Sequence, residues 1–225
     1  EIASCLVGSE MCIRDSSRAV PLFKFFGSIQ LSRQVPLVFF GGLDYTVKLK
    51  TPERRCYMES VKIGSVGLGR LGYEHAKNLA ASIPGCVLHA ICNVDTSRLR
   101  AVAEELGVPH TYTDFAAMCA DPELDGIVIV SPSFLHVEQI KIAMEHGKHI
   151  FREKPLGTNV AQCKEAEKVV EAHPELVFQL GFMRRFDPSY AEAKRRVDAG
   201  EIGKVVLVRS CTQDPRSTIE STLKF

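Results

Sequence analysis

Residues Val61 to Gly72 read VKIGSVGLGRLG and carry the strongest structural signal in the chain. Its first six residues form an apolar, β-prone run, after which three glycines follow in GxGxxG spacing. Gly67 permits a tight turn from strand to helix, Gly69 lets a pyrophosphate approach the main chain, and Gly72 lets the helix lie close to the sheet. The pattern therefore predicts a dinucleotide site in which phosphates bind free N–H groups at a helix N-terminus.

All six residues of this turn are predicted to contact the cofactor: Gly67, Leu68, Gly69, Arg70, Leu71 and Gly72. A second apolar run, Cys86 to Val94, ends at Asp95, whose carboxylate can accept hydrogen bonds from the adenosine ribose. That carboxylate favours NAD because it would repel the 2′-phosphate of NADP. Arg70 and Arg98 could offset the repulsion, so NADP stays possible. The competing interpretation is a glycine turn that binds no ligand.

The composition indicates a globular protein with small-molecule partners. Hydrophobic residues make up 45% of the chain, and a formal net charge of +1 leaves no basic stripe for nucleic acid. The apolar patches near the N-terminus are too short and too interrupted for a membrane span. Eight cysteines occur without a CxxC pair or a His/Cys cluster at metal-ligand spacing. We therefore expect reduced thiols in a cytoplasmic protein, with neither a metal site nor a disulfide framework.

From Met58 onward, strand-like and helix-like patterns alternate, which predicts an α/β fold with a doubly wound parallel sheet. Further strands are expected at or near residues 110–112, 126–130, 148–152, 176–180 and 204–210. The residues expected to cap or begin the intervening helices are Thr96, Asp114, Ser133, Asn159 and Asp187.

In such sheets ligands lie beyond the carboxyl ends of the strands, so the residues there are the candidates for function. They include Ser131 to His136, Glu153 to Pro155 and Gly181 to Phe186. Lys154 is placed where it could donate a hydrogen bond to a substrate oxygen while hydride moves. The alternative is a solvated loop lysine that pairs with Glu153.

Four motifs in this order, GLGRLG, SPSFLH, EKPLG and GFMRRFDPSY, make the resemblance specific. The chain from Met58 to about Asp214 resembles the glucose-fructose oxidoreductase, inositol dehydrogenase and MocA family, and its inositol 2-dehydrogenase-like members most. The resemblance implies an N-terminal Rossmann domain, a C-terminal α/β domain with an open sheet, and oxidation of a secondary alcohol by NAD or NADP. A cyclitol or sugar, with myo-inositol first, is the implied substrate.

The resemblance also implies roles for individual residues. Lys154 becomes the catalytic lysine that contacts both the nicotinamide and the reacting hydroxyl. The implied cofactor contacts are Ser131, Pro132, His136, Glu153 and Lys154, with Arg184 and Arg185 near the mouth of the site. For His136 the alternative is a first-turn helix residue with its ring in solvent, and for the arginines it is surface ion pairing.

The resemblance divides the chain into three parts. Residues 1–57 are expected to be a non-native or disordered leader, because the run CLVGSEMCIRDS from Cys5 to Ser16 resembles a translated sequencing-adaptor fragment. Residues 58–180 form the predicted Rossmann domain. Residues 181–225 are expected to hold a linker helix and the first strand of a truncated substrate domain.

One departure from the family leaves two functions open. The family's proton-accepting His, with an Asp one turn earlier, lies in the second domain, and no residue here matches that pair. The first hypothesis is therefore the cofactor half of a dehydrogenase, inactive alone and a homo-oligomer at full length. The second is a non-catalytic dinucleotide-binding regulator of the same fold.

Overall fold

The computed structural model describes residues 60–211 and residue 213, so the predictions for residues 1–57 and 214–225 lie outside it. The strands of this part are β1 Val61–Val66, β2 Cys86–Cys92, β3 His110–Tyr112, β4 Gly126–Ile129, β5 His149–Arg152 and β6 Phe178–Leu180. Its α-helices are α1 Arg70–Ala81, α2 Thr96–Leu106, α3 Phe115–Cys119, α4 His136–Glu145, α5 Val160–Glu171 and α6 Pro188–Asp198. None of these helices combines the length and apolar content that crossing a membrane requires.

The strands form one sheet in the order β3-β2-β1-β4-β5-β6, and every neighbouring pair is parallel. This arrangement confirms the predicted doubly wound α/β fold. The chain builds outward from β1 to β3 and then returns to place β4 against the other side of β1. The carboxyl ends of β1 and β4 therefore form the topological switch point, where ligands bind in open α/β sheets.

Helices cover both faces of the sheet, which explains the unbroken apolar run in β4. Val128 points into a core that includes Leu79 of α1 and Val102 of α2. Ile127 and Ile129 point into a second core on the other face, which also contains residues of α3, α4 and α5. All four residues of β4 are buried, as expected of a parallel strand packed on two sides.

Two of the expected helix starts are wrong in detail. Asp95 rather than Thr96 caps α2, because its side chain accepts hydrogen bonds from the N–H groups of Ser97 and Arg98. Ser133 is the first residue of a 3₁₀ turn that runs directly into α4, and it is not the N-cap residue of either segment. The caps expected at Asp114, Asn159 and Asp187 are observed.

The strand predicted over residues 204–210 is not formed. Val206, Leu207 and Val208 are 90%, 83% and 77% exposed, and no strand of the described part pairs with them. A strand is stabilised by its neighbour, so an apolar run alone does not form one. Tyr190 and Val197 are likewise exposed, since α6 buries no residue within the described part.

Because three cysteine thiols are largely buried, we expect the free energy of unfolding to fall as the pH rises into the alkaline range. Burial raises the pKa of Cys86, Cys92 and Cys119 to about 12 each, whereas an unfolded thiol titrates near about 8.5. Above that value the unfolded state binds fewer protons than the folded state, so the free energy of unfolding falls as the pH rises. Between about pH 8 and about pH 10 we expect a loss of about 1 to 2 kcal/mol for each thiol.

Urea unfolding followed by circular dichroism in reductant, at both pH values, measures this loss. Cys119→Ala should reduce the pH dependence of the unfolding free energy. Cys211→Ala is the matched control because Cys211 is exposed, and it should leave the dependence unchanged. Equal pH dependence in the parent chain and Cys119→Ala would contradict the prediction.

Candidate functional site

The turn after β1 accepts only glycine at two positions. Gly67 has φ +88°, and a Cβ there would lie 2.7 Å from the main chain of Val130. A Cβ on Gly72 would lie 1.7 Å from the Gly67 carbonyl oxygen. The N–H of Gly67 donates to the Cys92 carbonyl at 3.0 Å, which ties the turn to the end of β2. The turn is therefore packed between the ends of β2 and β4.

Gly69 has a different environment. It is the N-cap residue of α1, makes no side-chain cap, and a Cβ on it would meet nothing within 4 Å. Arg70 and Leu71 begin the helix beyond it. A helix N-terminus with no side-chain cap, and with open space beside Gly69, suits the diphosphate of a dinucleotide, so this chain fits such a cofactor.

Two polar side chains, those of Asn93 and Asp95, follow β2 and make different hydrogen bonds. The Oδ1 atom of Asp95 accepts from the N–H and hydroxyl of Ser97 at 2.9 and 2.6 Å and from the N–H of Arg98 at 3.1 Å. These hydrogen bonds, led by that of the Ser97 hydroxyl, hold the pKa of Asp95 below its usual value. Asn93 contacts the glycine turn instead, because its Oδ1 accepts from the Leu68 N–H at 3.2 Å. The ribose contact of Asp95 stays a prediction.

His136 links two of the loops at the carboxyl edge. Its side chain is buried, with Nε2 lying 2.7 Å from the carbonyl oxygen of Ser131 and Nδ1 lying 3.0 Å from that of Pro155. A neutral imidazole carries one N–H and donates to only one of these oxygens at a time. The solvent-exposed alternative for His136 is wrong, and the ring instead holds the loop after β4 against the loop after β5.

Arg152 reaches the same carbonyl group. This residue ends β5, is fully buried, and donates from Nη2 to the Pro155 oxygen. Its Nε and Nη1 atoms have no hydrogen-bond partner within the described residues. Burial lowers the pKa of this guanidinium to about 10. A buried cation of this kind was not expected from the sequence, which only marks it as the last residue of a strand.

Lys154 follows β5 and is half-buried. Within residues 60–211 its ammonium group has no ion pair, so the expected alternative, pairing with Glu153, is not observed. The Glu153 carboxylate instead lies 3.0 Å from Nε2 of His75 in α1 and accepts the main-chain N–H of Lys154 at 3.3 Å. His75 was missed in the sequence, although its position one turn into α1 places it beside the end of β5.

The remaining candidates lie at the same edge of the sheet but take part in local contacts. The Ser131 hydroxyl donates to the side chain of Gln139, and Pro132 lies exposed beside it. Arg184 follows β6, donates to the Tyr190 hydroxyl at 2.6 Å and stacks on its ring. The sheet thus brings the glycine turn, Ser131 and Lys154 to adjacent strand ends, while Arg184 is turned toward α6. Their roles toward a cofactor stay predictions.

Within residues 60–211 and 213, no group of three or more His, Cys, Asp or Glu side chains is placed to hold a metal ion.

Residues 61–182 match the family model of the glucose-fructose oxidoreductase, inositol dehydrogenase and MocA group, described as an oxidoreductase family with an NAD-binding Rossmann fold. The matched range begins at β1 and ends just beyond β6. It includes the glycine turn, the Ser131 loop and Lys154, and stops before Arg184.

Individual relatives are similar over the same part of the chain. The scyllo-inositol 2-dehydrogenase (NAD(+)) of Bacillus subtilis is 46% identical over 155 residues, which cover 68% of this chain and 45% of the relative. The myo-inositol 2-dehydrogenase of Thermotoga maritima is 36% identical over 157 residues, which cover 69% and 46%. The chain spans about half the length of the curated relatives it matches.

Among solved structures, a scyllo-inositol dehydrogenase from Lactobacillus casei with bound NAD(H) and scyllo-inositol is similar, with a TM-score of 0.70 and 44% identity. The similarity covers 73% of this chain and 48% of that protein.

The surroundings of Gly69 and Gly72 predict different effects of replacing each glycine by alanine. Gly69→Ala should leave the melting temperature unchanged, because its Cβ meets open space, and should weaken NAD binding at least about tenfold by occupying the place of the diphosphate. Gly72→Ala should lower the melting temperature, since its Cβ would overlap the Gly67 carbonyl oxygen.

Thermal unfolding and calorimetric titration with NAD on the same samples test both effects. Gly107→Ala is a control for backbone strain alone, because Gly107 has φ +65° and its Cβ would meet nothing. That variant should lose stability and keep NAD affinity. Undiminished NAD binding by Gly69→Ala would contradict the assignment of the turn.

Proposed function

Because this chain belongs to the oxidoreductase family with an NAD-binding Rossmann fold, we propose that it is the cofactor-binding part of a cyclitol dehydrogenase. The reaction would transfer hydride from a secondary alcohol of an inositol, myo-inositol first, to NAD. The inositol dehydrogenases among its relatives support the substrate class.

One observation carries the proposal. Lys154 follows β5, which pairs with β4, and β4 pairs with β1, the strand that leads into the glycine turn. The ammonium group of Lys154 has no ion pair within the described residues. A cation held there can donate a hydrogen bond to the reacting hydroxyl oxygen and stabilise the charge that develops on it. When bound, NAD supplies the carbon that accepts the hydride.

Neighbouring residues of the chain fix the position of Lys154. Glu153 accepts the main-chain N–H of Lys154 and contacts His75, which fixes the backbone beside the reacting position. His136 holds the Ser131 loop and the Pro155 loop together. Fixed donors lower the reorganisation that accompanies proton and hydride movement. The hydroxyl proton leaves to a base that the family resemblance places in the second domain.

The test is a chimera in which the B. subtilis scyllo-inositol 2-dehydrogenase supplies the half of the protein that this chain does not match. With myo-inositol or scyllo-inositol and NAD, the chimera should form NADH, which is followed by absorbance. Lys154→Met should lower kcat at least about a hundredfold and change the Kd for NAD less than about threefold, because the lysine acts on the reacting oxygen.

Lys164→Met is the matched control, since Lys164 is an exposed residue of α5, and it should leave kcat unchanged. A chimera that binds NAD but forms no NADH with either inositol would favour the regulator hypothesis. Equal turnover by Lys154→Met and the parent chimera would remove Lys154 from the mechanism.

A further inference from the structure

We propose that His75 is a positioning residue for the reacting lysine: by donating from Nε2 to the Glu153 carboxylate, it keeps that carboxylate from pairing with the ammonium group of Lys154. This inference rests on the proposed function, because it concerns the lysine donor of the same site. A residue of α1, the helix that follows the glycine turn, would thus control the charge next to Lys154.

The Glu153 carboxylate lies beside Lys154 and makes two contacts. Its Oε2 atom accepts the main-chain N–H of Lys154 at 3.3 Å, and its Oε1 atom lies 3.0 Å from Nε2 of His75. A carboxylate and an ammonium group this close in sequence attract each other, although such a pair is weak in water. The first contact keeps the carboxylate near Lys154, so in the described part it is His75 that draws the carboxylate toward α1.

The surroundings of His75 determine which of its ring nitrogens donates. The side chain is buried, and its ring centre lies 5.7 Å from that of Phe151. Its Nδ1 atom is also buried and has no hydrogen-bond partner within the described residues. A proton on Nδ1 would be a buried donor without an acceptor, which is unfavourable. Nε2 therefore carries a proton and donates it in the hydrogen bond to Glu153 Oε1.

The space around the carboxylate is closed on the side of β6. A Cβ on Gly181, the residue after β6, would lie 3.2 Å from Glu153 Oε1 and 3.2 Å from Cζ of Phe151. The side chain of Glu153 is only 16% exposed and that of His75 only 9%. The two groups therefore meet in a narrow site between α1 and the end of β6, where the loss of water strengthens their hydrogen bond.

Arg152 is the other cation near this carboxylate, but it faces the opposite side of the sheet. Successive side chains of a strand alternate between the two faces, and Phe151, next to Arg152, packs into the core that α1 covers. No ion pair joins Arg152 to Glu153 within the described residues. Burial lowers the pKa of Arg152, and Glu153 opposes this lowering less than Cys163 does. A carboxylate released from α1 would therefore turn to Lys154.

Limited reductive methylation of the full chain tests the inference without cofactor or substrate. Mass spectrometry compares the labelling of Lys154 with that of Lys164, an exposed lysine of α5. His75→Leu should slow the relative labelling of Lys154 by about threefold, because a paired carboxylate favours the charged amine, which does not react. His75→Gln, whose amide can donate in place of Nε2, should label like the parent chain. Adding Glu153→Gln to His75→Leu should restore the labelling to within about twofold of the parent, because no carboxylate then remains to pair.

The chimera with the B. subtilis enzyme measures the consequence for turnover. His75→Leu should lower kcat at least about tenfold and change the Kd for NAD less than about threefold, and adding Glu153→Gln should recover at least about threefold of the loss. The inference is overturned if His75→Leu leaves the labelling of Lys154 unchanged, or if Glu153→Gln does not relieve the loss of kcat, since a merely structural histidine would give these results. A parent chimera that forms no NADH would instead remove the proposed function, and the labelling would still decide the role of His75.

Discussion

The contact on which the site depends is the approach of α1 to the end of β1, where position 72 meets the carbonyl group of residue 67. No side chain fits there, so the helix begins directly after the strand, with its N-terminus aimed beyond the carboxyl edge of the sheet. The same approach brings His75 beside Glu153 and Tyr73 under Arg98. One steric constraint therefore fixes where the glycine turn, Arg98 and Glu153 lie relative to one another.

The loops at this edge are held by hydrogen bonds rather than by apolar packing. The Pro155 carbonyl group accepts from Arg152 and lies against His136, which also contacts the Ser131 carbonyl group. Burying this guanidinium is unfavourable, since it has lost water and its Nε and Nη1 atoms have no hydrogen-bond partner within the described residues. The structure tolerates this at the end of β5, where the guanidinium fixes the loop that carries Lys154.

Most of the sheet could be predicted from the sequence because each strand is a short apolar run closed by a turn signal. The same reasoning failed for residues 204–210, since strand formation depends on a partner that no run of residues reveals. Reasoning from the sequence located the strand ends and Lys154, but it did not show which partners the polar side chains would hydrogen-bond. Whether the His136 ring is exposed or buried depends on the carbonyl groups of Ser131 and Pro155, which belong to two loops outside its helix.

The contacts of Glu153 and Lys154 show why the hydrogen-bond partners of polar atoms matter for the proposed function. A carboxylate adjacent in sequence to a lysine would ordinarily be expected to neutralise it, and a neutralised lysine would be a weaker donor to a substrate. Here His75 draws the carboxylate toward α1, and the same carboxylate accepts the main-chain N–H of Lys154. The backbone of the lysine is thus fixed, while its ammonium group has no ion pair within residues 60–211. Because His75 belongs to the helix that begins at the phosphate turn, the position of the donor is set by the element that would hold the cofactor.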